Sequence, residues 1–143
     1  SATDVYPSTH TFTFHGSSYT SSYLDLAAIE NEDRNQQPLE SLDAQQQPLF
    51  SSIGGNGFPF VDIANQYANG AGTYSGGYDP QVLQGLDWQQ IASKLNNPND
   101  PITKGIVGNA NYLTAAICKV TNNEPASVCN TPVIQQIEQA LPR

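Results

Sequence analysis

Cys118 and Cys129 are the only thiols in the sequence, so any sulfur chemistry rests on them. Their spacing is not Cys-x-x-Cys, the arrangement that lowers a thiol pKa for exchange, so a catalytic redox pair is not expected. A zinc site is disfavoured because neither cysteine has histidines nearby. An even count in a lysine-poor chain reads as one disulfide; two free buried thiols are the alternative. The bond would close a short loop containing Pro125 and would be worth roughly 2–3 kcal/mol by chain entropy. His10 and His15 are five residues apart beside a predicted strand, a spacing that sends them to opposite faces and argues against a shared metal. Glu30, Glu32 and Asp33 could together take a weak Ca²⁺, against the simpler reading of a solvated acidic loop. No spacing supports a carboxylate pair for glycoside chemistry. There is no nucleophile elbow, P-loop or dinucleotide fingerprint, so no cofactor is expected. A hydrolase built on His15 and a nearby serine has no supporting motif.

One backbone feature could serve chemistry without a reactive group. Gly57-Phe58-Pro59-Phe60-Val61-Asp62-Ile63 places a proline at the mouth of an apolar, β-branched run, after the glycine-rich Gly54-Gly55-Asn56-Gly57. Proline fits the first position of a strand because it cannot donate to a ladder. Taken alone, the stretch favours an ordinary trans proline, since cis X-Pro bonds are a small minority. Tyr67, Tyr74, Tyr78 and Trp88 could line a binding groove, or serve only as packing and cross-strand partners.

These residues need elements to position them. Alternation predicts strands over Thr11–His15 and Tyr23–Ile29, the second with Leu24, Leu26 and Ala28 on one face. Leu42 to Ile53 suggests a short helix capped near Ser41 or Asp43 and interrupted by Pro48. Phe60–Ala64 is the clearest strand, followed by a hairpin returning near Ala71–Ser75 through Gly70 and Gly72. Asp79-Pro80, Asp87 and Asp100-Pro101 are helix starts. Trp88, Ile91, Ala92 and Leu95 give one apolar face. Ile106, Ala110, Leu113, Ile117 and Val120 stripe the longest helix, Ile102 to Val120. Thr131-Pro132 opens a last helix through Ala140.

With 143 residues the chain has the length of one domain. Its formal charge of −8 argues against nucleic-acid binding, which rests on Lys and Arg neutralising phosphates, and disfavours anionic membrane surfaces. No apolar run is long enough to span a bilayer. Scarce charge, abundant amides and the absence of Met even at position 1 suggest an extracytoplasmic chain, either processed or a piece of a longer one.

Several motifs, in order, resemble one family. They are Asp4-Val5-Tyr6-Pro7, Thr11-Phe12-Thr13-Phe14, Ser18-Tyr19-Thr20-Ser21, Gly57 to Asp62, Tyr78-Asp79-Pro80 through Gly85, Ala110 to Cys118 and Pro125 to Cys129. The sequence is similar over nearly its whole length to archaeal and bacterial exported or membrane-anchored proteins of thioredoxin-like type, catalogued as a domain of unknown function. The resemblance implies an α/β, thioredoxin-like fold of which this chain is the C-terminal portion. An antiparallel hairpin after a cis-proline is followed by several helices, and the central strand and first helix are missing. It implies a cis bond at Phe58-Pro59 that holds a protein or peptide substrate, and a structural cysteine pair at Cys118 and Cys129. The family's Cys-Pro-x-Cys segment has no counterpart here, so no catalytic residue is expected in the chain. Without the central strand, the edges at Tyr23–Ile29 and Phe60–Ala64 would stay unsatisfied. An N-terminal fragment, a second chain, or strand exchange in a homo-oligomer would then complete the sheet. The alternative is a non-catalytic extracellular binding or structural module assembling through its strand edges.

Overall fold

Aspartate and proline set the boundaries of the helices. The computed structural model describes residues 13–33, 35–54, 60–68 and 80–142. Contacts divide it into two units, one within Phe12–Tyr74 and one within Ser75–Arg143.

The later unit is helical. A 3-10 turn, Pro80–Leu83, precedes α2 (Trp88–Lys94), the first helix, α1 (Gln46–Leu49), belonging to the earlier unit. Asp87 caps α2 by accepting from the Gln90 N–H at 2.8 Å, while the Gln90 side chain accepts from the Asp87 N–H at 2.9 Å. This reciprocal box satisfies two N–H groups that the helix geometry orphans. The long helix α3 (Pro101–Val120) starts at Asp100, whose carboxylate accepts from the Ile102 N–H at 2.9 Å. Pro101 sits where a missing N–H costs nothing. The Asp100 carboxyl is held below the usual range, first by that backbone bond and then by Lys94, 3.3 Å away. Thr103, buried, donates to the Lys94 carbonyl at 2.6 Å and closes the C-terminal end of α2.

After α3 the chain reverses through Asn122 and Asn123, both in the left-handed region, which asparagine tolerates better than most residues. Then come α4 (Ala126–Cys129) and α5 (Pro132–Ala140). The Glu124–Pro125 peptide bond is cis. The buried core of this unit comprises Leu83, Ile102, Ala115, Ala116, Ile134, Leu141 and the two cysteines. The stripe expected on α3 is not its most buried face. Leu113, Ile117 and Val120 are only half-buried, and Ala110 is exposed. α2, α4, α5 and the 3-10 turn all pack on α3. Burial therefore follows several neighbours and favours the small Ala115, Ala116 and Cys118. Of the face expected on α2, Ile91 and Leu95 are half-buried, while Ala92 is exposed and Trp88 is 57% exposed.

The earlier unit holds α1 (Gln46–Leu49), which continues as a π-helical turn over Phe50–Gly54. Asp43 accepts from the Gln45 and Gln46 N–H groups at 2.7 and 2.8 Å. Pro48 lies in the first turn, where its missing N–H has no helical partner to lose. A two-stranded antiparallel sheet pairs β1 (Asp62–Ile63) with β2 (Tyr67–Ala68). Its turn is Ala64-Asn65-Gln66, with Ala64 and Asn65 left-handed. The chain thus reverses before Gly70, earlier than expected. Ala71–Ser75 lies outside the described residues. Residues 30–33 fold back on 37–40 through Leu39 N–H to Asn31 O (2.9 Å), Glu40 N–H to Glu30 O (3.0 Å) and Asp33 N–H to Gln37 O (2.8 Å). Thr13–His15 and Tyr23–Ile29 do not form strands among the described residues. Alternation supplies a face, but a strand also needs a neighbour to take its ladder bonds.

Candidate functional site

A cleft of about 930 Å³ opens in the earlier unit, within the size range of ligand and peptide pockets. It is lined by residues 25–27 and 29–32 together with Leu42, Gln46, Leu49, Phe50, Phe60 and Asp62. Phe50 and Phe60 meet edge to face, with ring centroids 5.5 Å apart. Leu26, in the lining, is 53% exposed. No hydrogen bond is made by the backbone of Leu24–Ile29 among the described residues. The segment thus presents a row of free N–H and C=O groups beside an apolar trough, the arrangement that accepts an added strand.

The rim is built by carboxylates. Glu30 lines the cleft and its carboxylate accepts from the Thr13 hydroxyl at 2.6 Å and from the Phe14 N–H. Glu40 accepts from the Glu30 N–H at 2.8 Å and stands 3.0 Å from His15 Nδ1. The clasp pins 13–15 to residues 30 and 40. The Thr13 hydroxyl and then the Phe14 N–H hold Glu30 below the usual glutamate range, and the Glu30 N–H, followed by His15, does the same for Glu40. Both pKa values are lower in the folded state, so the clasp's contribution is complete above the ordinary glutamate value and fades as pH falls through the depressed ones. In a pH titration by NMR, the Phe14 amide is expected to keep its shift from neutrality down to that range and to lose it in acid. A Phe14 amide indifferent to acid would show that the clasp does not hold it.

Asp33 accepts from the Asn35 and Gln37 N–H groups at 2.7 and 2.9 Å and closes the loop from within. Glu30 and Asp33 are thus committed to separate hydrogen-bond sets, while Glu32 lines the cleft. Among the described residues no group of three or more His, Cys, Asp or Glu is placed to hold a metal ion. No helix there is long and apolar enough to cross a membrane.

In the later unit Cys118 and Cys129 are joined, with Cα atoms 5.5 Å apart, and each is 1% exposed. Neither sulfur is available as a nucleophile. Phe58 and Pro59, expected to hold substrate, lie outside the described residues, as do His10, Tyr74 and Tyr78. Tyr67 is buried. The partnership of His15 with Glu40 was not evident in the sequence: the two are 25 positions apart, and only the fold-back of 30–33 on 37–40 unites them.

No family model, curated protein or solved structure matches this chain.

Proposed function

We propose that this chain is the C-terminal portion of an exported thioredoxin-like protein related to thiol–disulfide oxidoreductases, and that its cleft receives a strand supplied by another segment. One observation carries the proposal. The segment Leu24–Ile29, whose backbone makes no hydrogen bond among the described residues, contributes to a cleft that Phe50, Phe60 and Asp62 also line. In a thioredoxin-like sheet the strand leading into the redox motif runs between two such segments. The chemistry would belong to that incoming segment. Its thiolate would attack a substrate disulfide, one S–S bond forming as the other breaks and the departing sulfur leaving as thiolate. The second thiol of the motif would then resolve the mixed disulfide. Phe58-Pro59 would align the substrate backbone.

Isolation of the protein from its native source, followed by intact-mass analysis and N-terminal sequencing, tests this. A Cys-x-x-Cys segment is expected on the same polypeptide or on a chain that co-purifies. A native polypeptide beginning at Ser1, with no companion and full biological function, would sink the redox reading.

A second reading, a non-catalytic extracellular module assembling through its strand edge, has its own support. The only two sulfurs are sealed in a disulfide, and the free edge at Leu24–Ile29 accepts a strand whether or not that strand carries thiols. It would stand if the companion segment proved to lack cysteine.

A further inference from the structure

The chemistry of the cleft restricts what can occupy it. Its lining includes four carboxylate residues, Asp25, Glu30, Glu32 and Asp62, and, among the described residues, no Lys or Arg. Asp62 Oδ1 is shut off from solvent with no hydrogen-bond partner among the described residues, while Oδ2 accepts from the Asn65 N–H at 3.2 Å. Asp62 itself is only half-buried, but a carboxylate oxygen shielded from water without a partner is costly unless a positive charge lies near it. The charge need not touch Oδ1 to act, because the low-dielectric wall transmits its field. The apolar floor and the free backbone require an extended, apolar chain; the carboxylates require that chain to be basic.

The same features argue against a second copy of this chain. Arg34 is the only Lys or Arg before Lys94, and the formal charge is −8. Every alternating segment of this sequence would bring neutral or acidic side chains into an acidic cleft, which like-charge repulsion opposes. We infer that the cleft binds an extended apolar strand bearing Lys or Arg, from a polypeptide other than another copy of this chain. This rests on the reading of the cleft as a strand acceptor and adds the chemistry of the strand.

The test uses the whole chain and synthetic peptides of about ten residues, the length of a long strand. One alternates Val and Ile with Lys, and a second carries Glu at every Lys position. A third is the lysine peptide with alternate amides N-methylated. A fourth has the same lysines scattered among Gly and Pro. Binding is read by calorimetry at low and high salt, and by hydrogen exchange of the Leu24–Ile29 amides. The lysine strand is expected to bind, to weaken with salt, to protect those amides, and to exceed the glutamate strand by at least about tenfold. Asp25→Asn with Glu32→Gln should weaken it by roughly threefold or more. Neither side chain makes a hydrogen bond among the described residues, so the fold stays intact.

Equal binding of the lysine and glutamate strands would overturn the basic occupant and leave strand acceptance standing. Equal binding by the Gly/Pro peptide would reduce the effect to bulk charge and overturn the inference. Protection of Leu24–Ile29 by self-association of the chain would assign the cleft to a second copy and overturn it too. Failure of every peptide to protect those amides would remove the strand acceptor itself, and the inference with it.

Discussion

Replacing Cys118 and Cys129 together by alanine is expected to destabilise the helical unit by about 2–3 kcal/mol. The bond ties the last turn of α3 to the end of α4 across a sequence separation of 11. Between them lie Asn122 and Asn123, both left-handed, and the short α4, which is too brief to persist as an isolated helix. Cutting the bond frees this segment in the unfolded chain, and the entropy gained there is the larger part of the loss in the chain-entropy account. A fall of roughly 10–20 °C in the helical thermal transition follows for a unit of this size, measured by circular dichroism at 222 nm. Because each cysteine is 1% exposed, a mild reductant should leave the native protein unchanged and act only once denaturant opens it. A transition unmoved by the double substitution, or two thiols titrating without denaturant, would show that the bond does not brace these helices.

The helical unit was legible because its signals are local. Asp87, Asp100-Pro101 and Thr131-Pro132 mark starts that depend on residues one to three positions away. Thr131 shows the limit of such reading. Its hydroxyl donates back to the Val128 carbonyl at 2.9 Å and makes no cap bond to α5. The strands were less legible because a ladder depends on residues far along the chain. Tyr23–Ile29 has the right alternation, yet nothing among the described residues pairs with it. The reversal at 64–66 carries no glycine signal, because Ala64 and Asn65 adopt the left-handed conformation themselves. Neither the cleft nor its carboxylates were legible, since both unite residues far apart in the chain. Glu30 and Glu40 look like solvated loop charges until the loop between them closes and brings Thr13, Phe14 and His15 to them.

Ile134→Ala should cost about 2–4 kcal/mol, the range for removing a buried aliphatic side chain from a packed site. α5 is strongly two-faced. Ile134 is 4% exposed and Leu141 7%, while Val133 is 47% exposed and Gln135, Gln136 and Gln139 face water. The buried face lies against α3 and α4. In α3, Ala115 and Ala116 retain no accessible surface. Alanine at such positions lets neighbouring elements approach closely, so truncating Ile134 leaves a void with little freedom to collapse. The companion variant Val133→Ala, one residue earlier in α5, should change stability by no more than about 0.5 kcal/mol. Ala116→Leu should destabilise by about 1–3 kcal/mol by overpacking. Chemical denaturation of all three variants checks the order. A loss for Val133→Ala equal to that for Ile134→Ala would mean that α5 is rotated about its axis, because helix propensity cannot separate two substitutions to the same residue by this much. Only a difference in burial can, so the contrast between neighbours tests the packing of α5 on α3 with the disulfide left intact.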